Sequence, residues 1–142
     1  MDDSARLHIA RQFISAIPHA RALGMKVEDV EAARVTMSMP YDTRLIGDPE
    51  TGVIAGGAVF ALMDTCGGAA VIAHPAGAVG TATLDLRIDY MRPATPGERI
   101  VAQAECYHMT RTVAFVRAAA HHGDPDKPVA VCTGAFTVER RT

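Results

Sequence analysis

The stretch Gly52–His74, GVIAGGAVFALMDTCGGAAVIAH, decides how the rest of the chain is read. It holds one carboxylate, Asp64, and between Glu50 and Asp85 no other Asp, Glu, Lys or Arg occurs. Taking an ionised carboxylate out of water is costly unless it is partnered, so its presence in so apolar a run marks Asp64 as a candidate functional residue. The pair Gly56-Gly57 allows a tight turn and close approach of a ligand, and Ala58 to Met63 are mostly good helix formers. The helix is expected to run to about His74, because the residue before Pro75 resists helical geometry. Phe60, Ala61, Gly67 and Gly68 then neighbour Asp64 at three- and four-residue spacing. Each mid-helix glycine costs about 1 kcal/mol against alanine, so Gly67-Gly68 imply close approach of another element or of a substrate. A membrane span is disfavoured, because the apolar run from Ala58 to Ala73 falls short of the roughly 20 residues a bilayer needs and carries a central Asp. A buried helix of a globular protein fits better.

Bulk properties narrow the class. The 142 residues suit a single domain, and 49% hydrophobic with 21% charged residues at a net charge of −2 gives no polyanion-binding signal, so nucleic acid is an unexpected partner. Three cysteines without paired spacing argue for a reducing compartment, and MDDSARLHIARQF is too charged for a signal peptide, so a cytoplasmic protein is expected.

Working outward, residues 4–17 carry apolar side chains near helical period, with Ser4 as a possible cap and Pro18 as the close. Met25 to Met39 reads as two strand arms broken at Glu31-Ala32-Ala33, and Tyr41 to Thr51 as a polar loop. Beyond the central helix, Thr81 to Met91 alternates, with Leu84, Leu86, Ile88 and Tyr90 on one face and Thr83, Asp85, Arg87 and Asp89 on the other, the pattern of a half-buried strand. Three more strands follow at residues 99–109, 113–121 and 129–138. The class is α+β, a mainly antiparallel sheet wrapped around one long helix.

A helix opening on Gly-Gly with an acid seven residues after the second glycine, then a strand ending Tyr-Met-Arg-Pro-Ala and a Pro-Gly turn, resembles the hotdog-fold acyl-CoA thioesterases of the phenylacetate-degradation type. The resemblance covers about residues 20–140. It implies one helix wrapped by a five- or six-stranded antiparallel sheet, assembly as dimers or dimers of dimers, and active sites where two subunits meet. It also implies an acyl-CoA substrate, with no metal or other cofactor. By the same resemblance Asp64 is general base or nucleophile, the Gly57 N–H with Gly56 beside it contacts the oxyanion, Thr83 positions the attacking group, and Arg92 is a candidate for coenzyme A phosphate. Two positions depart from the pattern. The family's His before Gly-Gly is Ala55 here, and its loop Asn is matched, one residue off, by Asp48, which cannot donate an amide hydrogen bond. A hydroxyacyl-thioester dehydratase, which pairs a His with an acid, is disfavoured by Ala55; a non-catalytic acyl-CoA-binding protein is the rival from another class.

The chemistry suits these residue types. A helix N-terminus at Gly57 offers an N–H and a favourable field to a developing oxyanion, and desolvation of Asp64 is expected to raise its proton affinity. The other reactive residues read as structural. His121 and His122 point to opposite faces of a strand and form no metal pair, and Cys66, Cys106 and Cys132 are expected to be packed thiols.

Overall fold

A computed structural model of the chain describes residues 2–142. Two helices lead, α1 (Asp3–Ser15) and α2 (Pro18–Ala22), followed by strands β1 (Lys26–Glu31) and β2 (Arg34–Met39). A short hairpin of β3 (Ile46–Asp48) and β4 (Val53–Ile54) precedes the long helix α3 (Gly56–Ile72). Then come β5 (Thr83–Tyr90), β6 (Ile100–Met109), β7 (Val113–His121) and β8 (Ala130–Thr137). Six strands form one antiparallel sheet in the order β1-β2-β6-β7-β8-β5, and β3-β4 stand apart.

The sheet curls around α3, which touches β2, β5, β6, β7 and β8. Val59, Leu62, Met63, Cys66, Ala69, Ala70 and Val71 of α3 are buried, so the helix is apolar on most of its circumference and is covered accordingly. Met37 and Met39 of β2, Ile100 and Ala102 of β6, Val116 of β7 and Phe136 of β8 supply the cover. The glycines of α3 explain how closely it lies. A Cβ added at Gly67 would sit 3.0 Å from the Phe136 ring and 3.3 Å from a Val116 methyl, and one at Gly68 would sit 3.6 Å from a Thr81 methyl. A sheet, and not an acyl chain, therefore occupies the groove that Gly67-Gly68 open.

Several local expectations need correction. The cap of α1 is Asp2 and not Ser4: its carboxylate accepts from the Ala5 N–H at 2.8 Å, and its charge also suits the positive helix end. Pro18 does not close that helix but opens α2, where its missing N–H costs nothing. Strand β5 is an edge strand more exposed than its alternation implies, with Leu84 59% and Tyr90 50% exposed, while Leu86 and Ile88 are partly buried. Its start is also irregular. Thr83 pairs with Phe136 and Asp85 with Ala135, so β5 carries one extra residue there, a bulge that Gly134 accommodates because a Cβ on it would lie 2.6 Å from the Asp85 carbonyl oxygen.

The β1–β2 break falls as expected, with Ala33 at φ 62°. That left-handed value costs an alanine on the order of 1 kcal/mol, and two backbone bonds hold it: Ala33 N–H to the Ala73 carbonyl at 3.1 Å, and Cys106 N–H to the Ala33 carbonyl at 2.9 Å. The hairpin is thereby tied to the end of α3 and to β6.

His121, 3% exposed, takes the Gly123 N–H on Nδ1 at 2.9 Å and pairs Nε2 with Gln103 Oε1 at 3.1 Å, a pattern that a neutral ring satisfies. Burial holds its pKa below the ordinary histidine value, and burial does the same to His74. An unfolded chain takes up these protons below about pH 6.5 while the folded one resists, so stability is full above that pH and declines as pH falls through the folded values. Urea midpoints measured between pH 7.5 and 5 should fall with acidification, and less so in His121→Gln. A midpoint that holds constant or rises across that range would contradict this reading.

Candidate active site

The N-terminus of α3 is presented by the β3–β4 hairpin. The Ala55 N–H donates to the Leu45 carbonyl at 2.8 Å, and Gly47 packs so closely on Ala55 that a Cβ would lie 2.8 Å from its Cα. The Tyr41 hydroxyl donates to the Gly52 carbonyl at 2.6 Å. Backbone contact and one tyrosine thus hold the loop where the family resemblance leads one to expect a histidine side chain.

Gly56 and Gly57 are the first two residues of α3. At that position an N–H has no partner within the helix, and the Gly57 N–H has no acceptor among the described residues. Space around it is open: a Cβ added at Gly57 would meet nothing within 4 Å. Gly56 differs, because a Cβ there would lie 3.1 Å from Cζ of Tyr90, whose hydroxyl donates to the Gly56 carbonyl at 2.6 Å. A recess of about 290 Å³ adjoins Gly57, lined by Leu23, Leu45, Ile46 and Ala58 with the exposed Arg44 and His19. Three larger recesses, about 790 Å³ between α1 and the end of α3, about 760 Å³ on the outer sheet face and about 440 Å³ between α1 and β1, contain none of the predicted site residues.

Asp64 lies seven residues beyond Gly57. At 1.5 Å and 100° per residue this is nearly two turns, the same face of α3 and about 10 Å along its axis. The side chain is half-buried, and its Oδ1 accepts a hydrogen bond from the Thr83 hydroxyl at 2.6 Å. No cation and no backbone N–H partners it among the described residues. Simple alternation places Thr83 on the face away from Leu86 and Ile88; the bulge at the start of β5 turns it back toward α3. On the inner side, burial pushes the Cys132 thiol up to about 11, with the Asp64 charge adding to the effect. Cys66 is buried with its thiol directed to the Val35 carbonyl at 3.3 Å, and Cys106 is buried as well, so all three cysteines are packed, protonated thiols.

Two predicted residues stand apart from this pair. Asp48 closes its own turn, accepting from the Glu50 N–H at 3.0 Å and the Thr51 hydroxyl at 2.8 Å, and those bonds hold its carboxyl below the ordinary range. None of its hydrogen bonds reaches α3 or β5. Arg92, just past β5, is exposed and donates to the Lys127 carbonyl at 3.0 Å. The contact that sequence reasoning missed is Tyr90 on Gly56. Its signal was the tyrosine of Tyr-Met-Arg-Pro on the same strand face as Leu86 and Ile88, the face that meets the helix.

Known proteins share this fold. The family model of the thioesterase superfamily matches residues 51–129, more than half of the chain. A crystal structure of a Pseudomonas aeruginosa protein is 42% identical with a TM-score of 0.84, covering 93% of this chain and 98% of that one. The structure of a point mutant of PaaI, the phenylacetic acid degradation protein of Thermus thermophilus, is 26% identical with a TM-score of 0.74, covering 86% of this chain and 99% of that one. The medium/long-chain acyl-CoA thioesterase YigI of Escherichia coli is 25% identical over 127 residues, 80% of this chain and 81% of its own. The chain belongs to the thioesterase superfamily, and its sheet wrapped around one helix is the hotdog fold of that superfamily.

Proposed function

We propose that the protein is an acyl-CoA thioesterase acting on aryl- or medium-chain acyl groups, with Asp64 as the general base. The observation that carries this reading is the Asp64 carboxylate itself: the one charge on a greasy helix, held by a single hydroxyl and left without a neutralising cation. A carboxylate retained for structure would be expected to collect backbone N–H groups or a basic partner, and this one has neither among the described residues.

In the proposed reaction, Asp64 takes a proton from water as the water oxygen bonds to the thioester carbon. The carbonyl electron pair moves onto oxygen, where the Gly57 N–H and the positive end of α3 stabilise it. Collapse of the tetrahedral species breaks the carbon–sulfur bond, and the departing thiolate takes the proton held by Asp64. Thr83 keeps Oδ1 occupied and so orients the carboxylate, leaving Oδ2 for water. The recess beside Gly57 offers aliphatic side chains to the substrate, and Arg92, tied down at one nitrogen, has further N–H groups available to a coenzyme A phosphate.

Direction along the helix bears on assembly. Gly57 presents its N–H out of the N-terminus of α3, away from Asp64, which stands about 10 Å further along. One carbonyl carbon does not reach both groups on a single helix. A second copy running antiparallel across the open edge of β5, where Leu84, Tyr90 and Met91 are exposed, brings the Gly57 of one protomer toward the Asp64 of the other. The functional unit is therefore proposed as a homodimer or a dimer of dimers with shared sites. No helix is long and apolar enough to cross a membrane, and three free thiols accord with the reducing environment of a cytoplasmic enzyme.

Thiol release from a panel of aryl- and fatty acyl-CoA esters tests the assignment. Asp64→Asn should lower kcat roughly 100- to 10,000-fold, and Thr83→Ala about tenfold through loss of one charge-assisted hydrogen bond. An Asp64→Asn variant that turns over like the wild type would remove Asp64 from the mechanism. A wild type that binds acyl-CoA without releasing thiol would make the protein an acyl-CoA binder instead.

A further inference from the structure

The Gly57 N–H and the Gly56 carbonyl belong to one peptide unit. Such a unit is planar and trans, so its N–H and C=O point in opposite directions and move as one body. The Tyr90 hydroxyl donates to that carbonyl at 2.6 Å, and its ring rests against Gly56 so closely that an added Cβ would lie 3.1 to 3.3 Å from three ring and hydroxyl atoms. We infer that Tyr90 is a positioning residue for the reaction, fixing and polarising the amide that stabilises the oxyanion. The inference rests on the thioesterase reading for its kinetic consequence but not for its structural one.

Two effects act together on this amide. A hydrogen bond accepted by an amide oxygen draws electron density from nitrogen and strengthens the N–H as a donor, so Tyr90, the peptide unit and the oxyanion form one polarised chain. Geometry supplies the rest: a peptide at a helix start, with no side-chain cap on Ala55 to hold it, gains a fixed orientation from the ring and the hydroxyl together. Partial burial raises the phenol above its ordinary pKa, so Tyr90 stays a donor throughout the neutral range. The glycine at position 56 is also explained, since any larger residue would displace the ring. Gly57 has no such neighbour and is open because the substrate comes there.

The test replaces Tyr90 with Phe, which keeps the ring on Gly56 and removes the donor, and separately with 3,5-difluorotyrosine, assayed below its lowered pKa, which keeps the ring and strengthens the donor. Expected for Tyr90→Phe is a fall in kcat of about tenfold with KM within twofold, because a stronger oxyanion contact is felt in the transition state and not in the ground state. The pH dependence of the remaining activity should stay that of the wild type, and the difluorotyrosine protein should match or exceed the wild-type kcat. The Gly57 amide proton resonance should move upfield in Tyr90→Phe. A folded Tyr90→Phe enzyme with unchanged kcat and an unmoved Gly57 amide overturns the inference. If the wild type hydrolyses no thioester, the proposed function has failed, and the Gly57 resonance alone then decides whether Tyr90 polarises that amide.

Discussion

A helix that is apolar on nearly every side must be covered on nearly every side, and that constraint sets the architecture. Helix α3 has no polar stripe to give to water, so the chain wraps it with a six-stranded sheet curved enough to reach around it. Close wrapping in turn requires notches. Gly67 receives the Phe136 ring, and the small residues Ala69 and Ala70 let the strands approach, which is why so much alanine and glycine appears where larger apolar residues would have given more buried area. The helix gives up roughly 1 kcal/mol at each internal glycine and gains the packing of an aromatic ring.

Among the described residues, the Gly-Gly start of α3 is exposed and its side turned to the edge strand β5 is only partly covered. Two polar features of the helix are found there: the Gly57 N–H at its start, without an acceptor among the described residues, and the Asp64 carboxylate beside Thr83. Strand β5 serves both. Its first residue holds Asp64 through Thr83, and its last holds the helix start through Tyr90. A single strand therefore sets the position of the proposed base and of the proposed oxyanion donor, and the same strand offers the unpaired edge on which a second copy is proposed to dock.

Much of this was legible in the sequence, and the exceptions have physical causes. The charge-free run around Asp64 and the Gly-Gly start fixed the helix to within two residues, because apolar length and a following proline are local signals. The six strands of the main sheet were legible from their residue pattern, whereas the short β3–β4 pair was not, because Tyr41 to Thr51 reads as a polar loop. Alternation failed at Thr83, where one extra residue changes which face a side chain takes, and a bulge depends on the neighbouring strand, here Gly134, more than on local sequence. The exposure of β5 was illegible for a related reason: strand order is a non-local property. Asp48 was matched by position alone, and its own turn, Asp48 to Thr51, takes up the carboxylate instead. Tyr90 was missed because a tyrosine in an alternating strand reads as packing until the helix terminus beneath it is seen.

The central claim is that base and oxyanion donor act together only across two chains, and subunit mixing tests it most directly. Gly57→Pro removes the N–H at a position in the first helical turn where proline is tolerated, and Asp64→Ala removes the base; each homodimer should be inactive. After the two are unfolded and refolded together at equal concentration, half the dimers are mixed and each mixed dimer holds one intact site, so activity should return to about a quarter of the wild-type value. If base and donor act within one chain, every chain in the mixture carries a defect, and no recovery would be seen.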